Sequence, residues 1–348
     1  MTSDLSRRKA DHLDLCTTDR VGFRDRTTLL EGVRLVHQSL PDLALDELDT
    51  SVTLLGKRLR APLLIAAMTG GTERAREINR DLASIAEARG YGLGLGSQRA
   101  MLQDPRLAET YEVRSAAPTA LLLGNLGLTQ ARDLTGGELD ALVTAVGADA
   151  LCLHLNPAME LVQAEGDRDF RAGTETLARV ARELRVPVVA KETGCGISRE
   201  TARKLRQAGV RTVDVSGAGG TSWVGVEALR STGAHRSMGE TLWDWGIPTA
   251  ASVAYAAHEG LEVIATGGIQ TGLDVARALA LGATAAGLAR GVLRALDRGG
   301  AAEAGSFLDQ VELELRAVML LVGARTISEL RTVPRVLTGE LRDWLAGG

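Results

Sequence analysis

Aromatic residues are scarce in this sequence: Phe, Tyr and Trp together fill 3% of 348 positions. A core with so few rings must be built from Leu, Val, Ile and Ala, as in parallel sheets covered by helices on both faces. Cysteine is equally sparse. Cys16, Cys152 and Cys195 are odd in number and widely separated, which argues against a disulfide framework and for a reducing compartment. There is no basic excess: with a net charge of -4, the chain as a whole has no electrostatic attraction to nucleic acid or anionic membrane. Small molecules are the expected partners. No apolar run approaches the ~18 residues of a membrane span. The opening residues Met1–Arg8 lack the apolar centre of a signal peptide, so cytoplasmic residence is expected.

What the sequence does have is alternation. Short apolar runs at 61–68, 91–96, 120–126, 150–156, 186–191, 210–216, 261–266 and 283–288 are each followed by a stretch with helical spacing, such as Glu200–Ala208. Eight strand-then-helix units over roughly 250 residues predict an α/β fold of the closed (β/α)8 TIM barrel type. An open doubly wound sheet would carry its glycine fingerprint after the first strand. A single domain over 1–348 is expected, with an N-terminal extension and substrate lid at 1–60, a barrel core at 61–323 and a C-terminal helical cap at 324–348. The alternative is a two-domain α/β chain, but no low-complexity linker divides the sequence.

In a barrel of this kind the chemistry sits on the loops that follow the strands. Here those positions are polar or glycine-rich: Met68-Thr69-Gly70-Gly71, Gly96-Ser97-Gln98-Arg99, Gly124-Asn125-Leu126-Gly127, His154-Leu155-Asn156, Lys191-Glu192, Ser216-Gly217-Ala218-Gly219-Gly220-Thr221, Gly267-Gly268 and Gly287-Leu288-Ala289-Arg290. Glycine-rich loops after strands six and seven offer backbone N–H groups to an anion such as phosphate, although paired glycines also serve simply as turns. Lys191 at the end of a buried strand requires a counter-charge. A ligand anion, a structural ion pair with Glu192 and a Schiff-base role all remain open for it. His154 and Asn156, two apart on a strand, face the same side. Glu160 follows them and could bind Mg²⁺ through oxygen, or be a solvated loop carboxylate. Arg8, Lys9 and His12 form a short cationic group, suited to a diphosphate or merely solvated at the chain end.

Taken together and in this order, the motifs resemble those of the type 2 isopentenyl diphosphate isomerases, flavin-dependent enzymes with a (β/α)8 fold, over essentially the whole chain. The resemblance implies FMN, Mg²⁺ bound with the substrate diphosphate, NADPH as the reductant that primes the flavin, and a homo-tetramer or homo-octamer. It places Met68, Thr69, Ser97, Asn125, Lys191, Ser216 and Thr221 around the flavin ring and ribityl chain, and Gly267, Gly268 and Ala289 at the FMN phosphate. Arg8, Lys9, His12, Arg99, His154 and Asn156 would hold the substrate, with Glu160 on the metal. Lys191 and His154 are the implied catalytic side chains, beside reduced FMN acting as acid and base. The chain departs from the family at Met159, where the family carries glutamine: a thioether cannot relay a proton. An FMN-dependent oxidoreductase of the hydroxy-acid or dihydroorotate type shares the barrel and is the alternative, as is an enzyme acting on a related prenyl diphosphate.

Overall fold

A computed structural model describes residues 4–347, with side chains described from Arg7 onward. Eight parallel strands close into a barrel: β1 Leu63–Ile65, β2 Gly92–Gly94, β3 Leu121–Gly127, β4 Ala150–Leu155, β5 Val188–Glu192, β6 Thr212–Asp214, β7 Glu262–Ala265 and β8 Ala285–Leu288. Each overlaps one of the apolar runs read from the sequence. The ring closes where β8 pairs with β1, with Leu288 opposite Ile65. The crossover helices start and stop on local signals. Glu73–Arg89 begins at Thr72, whose hydroxyl accepts from the Ala75 amide, and ends at Gly90 with φ of 65°, the left-handed stop that glycine adopts without strain.

Side chains alternate along a strand, so every second residue points into the barrel. At one end these positions are apolar: Leu64, Leu121, Leu123, Ala150, Cys152, Val189, Ile264 and Ala285 form an inner cluster. A hairpin of Val52–Leu54 and Lys57–Leu59 plugs that end by burying Leu54 and Leu59 against the cluster. A larger apolar core fills the space between strands and outer helices. One inward position further along, the residues become polar: Asn125, His154, Lys191, Asp214 and Thr266. The interior is thus dry at the amino ends of the strands and polar at their carboxyl ends, where the connecting loops add further groups.

Two elements flank the barrel. The N-terminal helix Asp4–Cys16 lies at the carboxyl face and packs Leu13 and Cys16 against Val226 and Leu293. Strand Val33–Leu35 pairs antiparallel with Arg335–Leu337, so the tail contains a strand as well as the helices Ile327–Leu330 and Gly339–Gly347. No helix among the described residues is long and apolar enough to cross a membrane.

Candidate functional site

The polar end of the barrel opens into a cavity of about 280 Å³. Every site residue named from the sequence reaches its wall, from Arg8, Lys9 and His12 through Met68, Thr69, Ser97, Arg99, Asn125, His154, Asn156, Met159, Glu160 and Lys191 to Ser216, Thr221, Gly267, Gly268 and Ala289. The charge of the wall is lopsided. Among the described residues Arg8, Lys9, Arg99, Lys191, Arg290 and Arg294 line it, against the single carboxylate of Glu160, although the whole chain carries a net charge of -4.

Three of these cations are already satisfied by the protein. Lys191 Nζ donates to Asp214 Oδ2 at 2.7 Å, a consequence of register, since Lys191 on β5 stands opposite Asp214 on β6. Thr266 donates to the other Asp214 oxygen, and its own hydroxyl accepts from the Ser216 amide at 3.1 Å. The structural partner of Lys191 is therefore Asp214 and not its neighbour Glu192. Adjacent strand residues point to opposite faces, and Glu192 turns away from the cavity to accept from the amides of Cys195 and Gly196. Burial pushes the Glu192 carboxyl up to about 8. An ammonium donating to a carboxylate presents no lone pair, which argues against a Schiff-base lysine.

Lys9 is held by protein groups. Its ammonium donates to the carbonyl of Gly70, to Ser97 O at 3.3 Å and to Tyr111 Oη at 2.8 Å. All three N–H groups are thereby used on protein, and the residue fastens the N-terminal helix to the loops after β1 and β2. Burial, assisted by Arg8, lowers its pKa to about 7. The Gly70-Gly71 pair makes room for this contact: a Cβ on Gly71 would sit 2.8 Å from Lys9 Nζ, and one on Gly70 would strike the Tyr111 ring. His12 likewise faces protein, with Nε2 2.7 Å from Glu227 Oε1 and its ring edge-on to Trp223. Glu227 also takes Arg230 Nη1 at 2.7 Å. Burial opposes ionisation of Glu227, but the His12 hydrogen bond and Arg230 outweigh it and hold the carboxyl below its ordinary range. Arg294 pairs with Asp19 at 2.6 Å.

Arg8, Arg99 and Arg290 are left without a carboxylate within ion-pair distance among the described residues, and they fall in two places. Arg8 shares the fields of Arg99 and Glu160, and burial lowers its pKa. Arg290 begins the helix after β8, beside Ala289 and across from Gly267 and Gly268, and its Nη1 is buried with no partner. Gly267 and Gly268 have φ of 96° and 81°, and a Cβ on Gly267 would lie 2.2 Å from the Gly217 carbonyl. Only glycine lets the two loops close on each other there. On the loop after β1, Thr69 Oγ1 is also buried without a partner among the described residues.

On the wall next to Arg8, His154 Nδ1 lies 2.9 Å from Asn125 Oδ1. An amide oxygen only accepts, so Nδ1 carries the hydrogen and Nε2 is left as an acceptor. Burial, then Lys191 and Arg99, lowers the His154 pKa to about 4, and the ring is neutral near pH 7. Asn156 follows β4 and donates to Glu160 Oε1 at 2.7 Å, while the Asp167 amide donates to Glu160 Oε2 at 2.8 Å. Met159, in the helix Pro157–Val162, presents a thioether to the same cavity. Among the described residues no three His, Cys, Asp or Glu side chains gather as a metal cage.

The cavity also contains residues the sequence did not single out for a role: Gln130, Thr193, Trp223 and Arg290, with Asp214 and Tyr111 behind them. Asp214 left a signal, a carboxylate in the middle of an apolar strand. Tyr111 left none, because its link to Lys9 spans 102 positions.

The chain matches the family model described as FMN-dependent dehydrogenase over residues 1–155 and 150–335. An isopentenyl-diphosphate delta-isomerase of Methanosarcina barkeri is 43% identical over 361 residues, covering 99% of this chain and 95% of the relative. One of Pyrococcus abyssi is 42% identical, covering 97% and 94%. Among solved structures, a mandelate oxidase variant with an FMN adduct superposes with a TM-score of 0.64 at 19% identity, covering 97% of this chain and 100% of that one. A flavocytochrome b2 variant gives 0.68 at 20% identity, covering 97% and 84%. These two share the barrel; the full-length likeness at more than twice their identity is to the isomerases, and the chain belongs to the isopentenyl-diphosphate delta-isomerases within the FMN-dependent dehydrogenase family.

Proposed function

We propose that this protein interconverts isopentenyl and dimethylallyl diphosphate with FMN in its barrel mouth, as a step of isoprenoid synthesis. The observation that carries the reading is a single cavity in which un-neutralised arginines stand in two groups, Arg290 at one side and Arg8 with Arg99 at the other. That arrangement suits two separate phosphate-bearing ligands. The orphaned Thr69 Oγ1 and Arg290 Nη1 fit FMN. Its phosphate would lie at Gly267, Gly268, Ala289 and Arg290, and its ring and ribityl chain against Met68, Thr69, Ser97, Asn125, Lys191, Ser216 and Thr221. Arg8, Arg99, His154 and Asn156 would take the substrate diphosphate. Glu160 would hold an Mg²⁺, a cation that commonly keeps water and phosphate as its remaining ligands.

When bound and reduced by NADPH, FMN supplies an electron-rich plane and the acid–base groups of the reaction. The chain supplies the setting. Lys191, its charge balanced and its position fixed by Asp214, keeps N–H groups to donate to a ligand on the floor. His154, neutral and oriented by Asn125, accepts at Nε2. The N-terminal helix, tied down through Lys9 and His12, shields the cavity, as a protonated alkene must be kept from water. Met159 leaves no side-chain amide at its position, so this side chain takes no part in moving the proton. We also propose cytoplasmic residence and a homo-tetramer or homo-octamer, the latter read out by light scattering on the purified protein.

The test is to incubate purified protein with FMN, NADPH, Mg²⁺ and isopentenyl diphosphate. Dimethylallyl diphosphate should accumulate over many turnovers with NADPH consumed only in the priming amount. Consumption of NADPH in step with product would make the protein an oxidoreductase instead. A folded protein that stays colourless with added FMN would overturn the reading entirely.

A further inference from the structure

Three residues of the cavity wall each have a buried polar atom with no hydrogen-bond partner among the described residues: Thr69 Oγ1, Arg290 Nη1 and Gln163 Oε1. The first two belong to residues assigned above to FMN. Gln163 is unexplained, although the residue is 8% exposed and a buried acceptor without a donor is unfavourable. It caps the helix Pro157–Val162, three residues after Glu160. Arg168 bridges the backbone carbonyls of these two residues, donating from Nη1 to Glu160 O and from Nη2 to Gln163 O at 2.7 Å. The bases of both side chains are thereby held in fixed relation.

A prenyl diphosphate cannot satisfy this oxygen. Its ionised phosphate oxygens are acceptors themselves, and its hydrocarbon has no donor. A hard divalent cation, by contrast, takes amide oxygens readily. Glu160 has one bond on each carboxylate oxygen, from Asn156 and from the Asp167 amide, and each oxygen keeps a free lone pair for a metal. Among the described residues no cluster of three His, Cys, Asp or Glu could complete a cage.

We propose that Gln163 Oε1 is a second protein ligand, beside Glu160, for the divalent cation that accompanies the diphosphate. This rests on the reading that such a cation sits at Glu160. An uncharged oxygen suits the place: a second carboxylate would cancel the charge that Arg8 and Arg99 offer the diphosphate.

The experiment measures Mn²⁺ binding by electron paramagnetic resonance on FMN-loaded protein with inorganic pyrophosphate, with metal-free pyrophosphate and FMN affinities measured alongside. Gln163→Leu should weaken Mn²⁺ roughly tenfold or more and leave the other two affinities unchanged. Gln163→Glu, which keeps the volume and adds charge, should bind Mn²⁺ more tightly than the parent. Wild-type Mn²⁺ affinity in Gln163→Leu would overturn the proposal. So would a loss of metal-free pyrophosphate binding in that variant, which would make the amide a donor to the anion. Glu160→Gln separates the two levels: if it leaves Mn²⁺ binding intact, the metal does not sit at Glu160, and the underlying reading fails along with this one.

Discussion

Lys191 and Asp214 illustrate what a buried charge requires. The two side chains are 10% and 6% exposed and 2.7 Å apart, and removing one partner of such a pair strands the other without water. Asp214→Asn should therefore destabilise the protein by about 3 kcal/mol, measured by urea unfolding with FMN absent; a loss below about 1 kcal/mol would mean that Lys191 finds other solvation. His154 sets a pH dependence. Its folded pKa is about 4 against roughly 6.5 in an unfolded chain, so the unfolded state takes up a proton first as pH falls. The His154 contribution to stability should decline between about pH 6.5 and 4, by on the order of 3 kcal/mol at the full extent, against an opposite contribution from Glu192, whose pKa of about 8 makes the folded state take up that proton first. His154→Gln should remove the first contribution, so that in unfolding curves its stability falls less, or rises more, than the parent's as pH drops across the range. At Met159 the expectation concerns rate. Met159→Gln restores an amide to the cavity and should raise isomerase turnover, by up to roughly 10²-fold, with FMN affinity unchanged. An equal or lower turnover would show that no proton relay is missing.

At the scale of elements, the N-terminal helix depends on contacts at both ends of a short stretch. Lys9 joins it to the loops after β1 and β2, and His12 to Glu227 in the helix Trp223–Arg230. Glu227→Ala should raise hydrogen exchange across residues 7–16, corresponding to about 2 kcal/mol of lost protection, while exchange in the barrel strands stays unchanged. Uniform exchange changes across the molecule would mean instead that Glu227 supports the fold as a whole. The eight strands were legible because a buried parallel strand writes a short apolar run and its loop writes glycine and polar residues. The candidate site residues at strand ends were legible for the same reason, since their places follow from the chain order, whereas Arg8, Lys9 and His12 on the N-terminal helix were legible only through the family resemblance. What the sequence did not disclose depends on register or distance. Asp214 meets Lys191 only through the pairing of β5 with β6, Tyr111 meets Lys9 only after folding, and the three-residue strand Arg335–Leu337 is too short to show a period. That strand forms because Val33–Leu35 offers it an edge.

For the whole molecule, the division of the interior sets the energetics. The apolar half, plugged by Leu54 and Leu59, supports the ring, while the polar half collects buried groups that lack partners and so favours a ligand. FMN at about 100 times its Kd should add roughly 2.7 kcal/mol of stability and raise Tm by about 4 °C, seen by calorimetry with and without cofactor. Arg290→Ala should remove most of that shift while leaving the Tm of the FMN-free protein nearly unchanged.

A helix moored at both Lys9 and His12 works as a crossbar over the well beneath it. On the reading proposed above, a ligand resting on the floor would enter before the bar is set and leave only after it is lifted, and a second ligand held under the same bar by Arg8 would delay that departure for as long as it stays.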